Sequence, residues 1–103
     1  MVKITKAIAR QRLEEVPPEK RFWFSDGKAI KSLPEMASMM PGLSGETFRH
    51  HVNSSNNDFS NWVRDVIGDD KLARDLLKCT APAQAARAIA ARIDWLQQKT
   101  VSG

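Results

Sequence analysis

Residues 53–77 read NSSNNDFSNWVRDVIGDDKLARDLL, and this stretch decides the fold class. Its opening residues are all polar and cap-forming. After them Phe59, Trp62, Val63, Val66 and Ile67 recur at spacings of 3 and 4, the apolar stripe of a helix. Asn57 and Asp58 place side-chain oxygens where that helix begins with orphan amides. Gly68 suits the left-handed residue that closes a helix, and Asp69 or Asp70 then caps a second one carrying Leu72, Ala73, Leu76 and Leu77. Two amphipathic helices joined by a tight turn predict helix-on-helix packing.

The flanking segments extend that pattern. Upstream, Ser32-Leu33-Pro34-Glu35 forms a capping-box start, with Ser32 capping the amide of Glu35 and Glu35 reaching back to Ser32. Leu33, Met36, Met39 and Met40 make its apolar stripe, Pro41-Gly42 ends it, and Ser44 opens another helix through Phe48 and Val52. Downstream, Thr80 and Pro82 start a last helix with Ala85, Ala88, Ile89, Ile93 and Leu96 on one face. At the other end, Ile4, Ile8 and Leu13 among Lys and Arg read as a short amphipathic helix that stops before Val16-Pro17-Pro18. Between the prolines and Ser32, RFWF and KAIK flank Ser25-Asp26-Gly27, the pattern of a hairpin. Phe22, Trp23, Phe24 and Ile30 are its expected contacts with the core. The expectation is a mainly α protein, a small bundle of five or six helices with one short β-hairpin near residues 21–31. It is one domain over residues 1–103, with a basic helix at 1–16 appended to a core of 21–98.

Composition narrows the class further. A chain of 103 residues, 42% hydrophobic with three Trp and four Phe, is too apolar for disorder. Its apolar runs fall well short of the roughly 20 residues that span a membrane. The opening MVKITKAIARQRLEEV lacks the apolar segment of a secretory signal, and the single cysteine, Cys79, fits a reducing compartment. The expected location is therefore cytoplasmic, with no membrane association.

The formal net charge is +4, and its distribution matters more than its size. Lys3, Lys6, Arg10, Arg12, Lys20, Arg21, Lys28 and Lys31 stand against four acidic side chains in residues 1–31, a net of +4. Residues 32–103 hold eight basic and eight acidic side chains and are neutral. Lys3, Lys6 and Arg10 are spaced to share a helix face, with Lys20 and Arg21 following, which suits phosphate contacts that do not read sequence.

The string FWFSDGKAIKSLPEM, followed by FRHHVNSSNNDFSNWVRDVIGDDKLA, resembles a group of uncharacterised prokaryotic domains of unknown function. Those domains share an aromatic run with an Asp-Gly turn, a Ser-Leu-x-Glu helix start and an HVN...NDFxNW...GDxxLA block. The resemblance covers residues 22–77. It implies a domain that recurs alone or attached to other proteins, and it implies no activity. The basic N-terminal segment lies outside it.

Constellations that would carry chemistry are sparse. His50 and His51 are helix neighbours, about 100° apart, and cannot easily share one ion, while zinc takes four N or S ligands and only Cys79 remains. The simpler reading turns one histidine inward against Asp58 or a backbone carbonyl. Cys79 with those histidines lacks an orienting third residue and reads as a small buried hydrophobe. Asp65, Asp69 and Asp70 miss the alternating positions and distal Glu of a calcium loop. No glycine-rich phosphate loop is present. These patterns predict no catalytic residues, no metal site, no cofactor and no enzyme.

Two segments suggest recognition. The Asn-rich stretch is first a set of caps and second a surface loop, with Asn53 and Asn56 the candidates. Residues 33–52 resemble a helix-turn-helix whose second helix presents Glu46, Thr47, Arg49 and His50. With Gly42 at the turn, however, the inward late position falls on His51, and acidic Glu46 faces phosphate. The leading expectation is a non-enzymatic binding domain that contacts RNA, DNA or a ribosome through Lys3, Lys6, Arg10, Arg12, Lys20, Arg21, Lys28 and Lys31. The alternative is a protein-protein interaction module using an apolar groove, and the third a helix-turn-helix-like DNA-binding regulator. Composition sets no oligomeric state.

Overall fold

The computed structural model describes residues 4–24 and 27–101. It is mainly helical, with six α-helices and one two-stranded antiparallel hairpin among the described residues. Helix α1 spans Lys6–Leu13 and starts where the Thr5 hydroxyl accepts the Ile8 amide. Strands β1 (Phe22–Trp23) and β2 (Ala29–Ile30) pair Phe22 with Ile30 and Trp23 with Ala29. Gly27 adopts φ +89°, the left-handed backbone that lets the chain return. Ser25 and Asp26 of the expected turn lie outside the described residues, as does Lys3. The pleat decides what the aromatic run does: Phe22 and Phe24 turn inward, whereas Trp23 is 55% exposed and is not the core contact its neighbours are.

Helix α2 (Leu33–Met39) is capped by the Ser32 hydroxyl on the Glu35 amide at 3.2 Å. The Glu35 carboxylate accepts from the Lys31 amide at 3.1 Å, one residue earlier than a capping box places it. A single 3-10 turn, Met40–Gly42, leads to α3 (Gly45–His51), which Ser44 caps. Of the expected stripe, Leu33, Met36 and Met40 are buried and Met39 is half-buried.

The apolar stripe that decided the fold class becomes α4 (Asp58–Trp62), continued by a π-helical turn over Val63–Ile67. The Val63 carbonyl accepts from Gly68 at 2.8 Å and from Asp69 at 3.2 Å, and Gly68 takes φ +84°. This wider final turn closes the helix and delivers the Asp69 side chain inward as the cap of α5 (Asp70–Leu77). Leu72, Ala73 and Leu76 are buried there, but Leu77 is exposed. Trp62 is buried and its indole N–H donates to the Lys20 carbonyl at 2.8 Å, holding the segment after the prolines.

Helix α6 (Pro82–Val101) is the spine. Ala85, Ile89, Ile93 and Leu96 form its buried stripe, and α1, α2, α5 and the Met40–Gly42 turn all pack on it. No helix of the described residues is long and apolar enough to cross a membrane. Composition set α1 apart as an appended element; in the fold it lies along α6 with Ala9 fully buried, the small side chain allowing close approach. Ile4 and Leu13 pack partly against the same core.

Candidate polyanion-binding surface

The most heavily constrained polar group among the described residues is Asp69. Its Oδ1 accepts the Leu72 amide at 2.9 Å, as a helix cap should. Its Oδ2 accepts from Arg12 Nη1 at 3.1 Å and from Arg92 Nε at 2.8 Å. The carboxylate is 0% exposed and the two arginines 13% and 10%. One residue thus ties α1, α5 and α6 together. A buried carboxylate is costly unless its lone pairs are satisfied, and two guanidiniums on one carboxylate leave the node with a surplus of one positive charge.

Above this node lies a depression of about 450 Å³ lined by Ile4, Gly68, Asp70 and four basic side chains, Arg12, Lys71, Arg74 and Arg92. Four cations stand against Asp70, the enclosed Asp69 and Asp75, the partner of Lys71, a net of +1. Arg74 is exposed and makes no ion pair among the described residues, so its charge is available. Lys71 binds Asp75 at 2.7 Å on the adjoining side. Arg92 also lies over the Trp95 ring, 4.4 Å from its centroid, with the Lys99 ammonium at 5.2 Å. Trp95 is 37% exposed.

The sequence-predicted cations do not gather on one surface. Arg12 follows Arg10 by two positions, about 200° around the helix axis, so the two project from different sides of α1. Lys6, Arg10 and Lys20 are exposed and unpaired among the described residues. Arg21 is half-buried, its Nε enclosed without a partner. Lys31 approaches Glu15 at 3.7 Å, and Lys28 is exposed on the hairpin. Lys71, Arg74 and Arg92 were not among the residues composition singled out, because residues 32–103 are neutral in sum. The available signal was local: in RIDWLQQK, Arg92, Trp95 and Lys99 stand at i, i+3 and i+7 and share one helix face.

The other candidates form separate, smaller features. His51 is the inward histidine: Asp58 Oδ2 accepts from its Nδ1 at 3.1 Å, and its ring packs within 5.5 Å of Phe22, Phe24 and Phe59. His50 is exposed and lines a shallow depression with Glu46, Thr47 and Arg49. Helix α2 packs chiefly on α6, and α3 is only two turns long, which differs from a paired helix-turn-helix. The Asn-rich loop is closed on itself. Asn53 Oδ1 accepts from the amides of Ser55 and Asn56 at 2.9 Å each, and Asn56 joins Asp58 and Asn61. Asn57 caps α4 at Ser60 and donates to the Leu76 carbonyl, fixing the loop to α5. Asp65 is held by Arg64, whose hydrogen bond keeps that carboxyl below its ordinary range, while Asp69 caps α5 and Asp70 lies in its first turn. Cys79 is buried with its thiol against the Asp75 carbonyl, and burial pushes its pKa up.

Comparisons with protein-family models, with curated proteins and with solved structures found no match. The site is therefore read from its geometry.

Proposed function

We propose that this chain is a cytoplasmic, non-enzymatic binding domain that associates with nucleic acid, free or within a ribonucleoprotein, through the cationic depression between α1, α5 and α6. The observation that carries this reading is the convergence of Arg12, Lys71, Arg74 and Arg92 on a depression lined by a single acid, Asp70, with Asp69 enclosed between Arg12 and Arg92. Phosphates are the anions that such a surface neutralises, and each contact releases condensed counterions. Lys6 and Arg10, on another side of α1, extend the positive field without forming the seat.

Fluorescence anisotropy with labelled oligonucleotides tests the reading. Binding should weaken steeply with salt, log K falling against log [salt] with a slope of about −0.7 per phosphate neutralised for a single strand and about −0.9 for a duplex. Absence of binding to either oligonucleotide at low salt would reject it. Exposed Trp23 and Leu77 favour a second reading, a protein-interaction module. A partner captured through them would resist nuclease and high salt, and would be lost on Trp23→Ala.

A further inference from the structure

Beside the cationic depression lies a second one of about 380 Å³, between α5 and α6. Its floor is Ala88 and Ala91, its wall is Trp95, and it shares Lys71 and Arg92 with the first. The two adjoin at Lys71 and Arg92, an apolar depression beside a basic one. We infer that together they form a groove that takes a single-stranded nucleic acid, with one base against Trp95 and the adjoining phosphate on Arg74. The inference rests on the nucleic-acid reading above and adds the form of the ligand.

Charge and shape both select that occupant. The alanines on α6 leave space beside the indole that larger side chains would fill. Arg92 is fixed by Asp69 and covers one face of the ring, which holds the indole in place and leaves its other face and its edge to a base. Lys99, the other cation near the ring, is exposed at the end of a long side chain and can move aside. Asp75, tied to Lys71, puts a carboxylate on the apolar half and so directs phosphate towards the Arg74 half. A single strand alternates flat apolar bases with anions along one chain, which matches the alternation in the groove. In a duplex the base faces are stacked on one another and are not available to an indole.

Binding of a 12-nucleotide thymidine strand and of a 12-base-pair duplex, measured side by side at one low salt concentration, decides the matter. The wild type should prefer the single strand, and Trp95→Ala should weaken single-strand binding about tenfold and remove the preference. Circular dichroism checks that the variant is folded. If it is not, Ala91→Leu, which fills the groove from an exposed helix position, should have the same effect. Equal binding of strand and duplex by the wild type, or a preference that survives both substitutions, overturns the inference and leaves the general reading standing. So does a polyglutamate peptide that binds as tightly as the strand, since the groove would then read charge alone. If neither oligonucleotide binds, both fall together.

Discussion

Asp69 and Asp58 are both carboxylates at the start of a helix, and they do different work. Asp58 stays local: it is 39% exposed, accepts from His51 and Asn56, and helps close the Asn-rich loop. Asp69 caps its helix and also receives Arg12 from 57 residues upstream and Arg92 from 23 residues downstream. The difference lies in the partners. A carboxylate facing solvent serves its own loop, whereas a cap enclosed between helices must find opposite charge, and here it draws a guanidinium from each of two other helices. Arg12 and Arg92, drawn to that acid, line the basic depression beside Lys71 and Arg74.

That contrast can be broken experimentally. Deleting residues 1–15 should have the largest effect, because it removes Arg12 and uncovers α6; loss of the cooperative thermal transition is expected, whereas an independent arm would leave that transition intact. Asp69→Ala should cost about 3–5 kcal/mol in urea unfolding, since two guanidiniums lose their buried partner. Asn57→Ala removes the α4 cap and the tie to Leu76, and should cost about 1–2 kcal/mol by the same measurement. Asp58→Asn should cost about 1 kcal/mol or less, the half-exposed pair being screened by solvent. An Asp58→Asn loss equal to that of Asp69→Ala would erase the distinction between the two carboxylates.

The smallest effect concerns Cys79. Burial raises its pKa, so the folded state keeps the proton that the unfolded chain gives up first. Its stability contribution is complete below the ordinary thiol range and is lost as pH rises through the folded value. Alkylation near pH 8 should accordingly be slow in the native protein and fast in urea; equal rates would show the thiol to be open.

The helices were legible in the sequence because their signals are local. Ser32, Ser44, Asn57 and Asp69 each cap the helix that their spacing to the apolar stripe foretold. The hairpin was legible for the same reason, although alternation turned Trp23 outward. The surface was less so. Net charge along the chain marked residues 1–31, but Arg12 meets its partner only after α1 folds against α5 and α6, and a sum over residues 32–103 does not record that Arg12, Lys71, Arg74 and Arg92 converge. One-dimensional charge does not record which acids become buried. The same limit hid the place of Trp95, which lines a depression with Ala88 and Ala91.

The proposed function puts the anion-binding seat in the depression over Asp69 and not on the outer side of α1. Charge reversal separates these directly. Arg74→Glu and the double variant Lys6→Glu/Arg10→Glu change only exposed side chains, so each should remain folded and be comparable by anisotropy with the same 12-nucleotide strand. Arg74→Glu should weaken binding about tenfold or more and lower the salt slope by about the share of one phosphate, with the double variant showing the smaller loss despite its larger change of charge. A greater loss in Lys6→Glu/Arg10→Glu, with Arg74→Glu near wild type, would contradict the account and return the binding role to the outer side of α1.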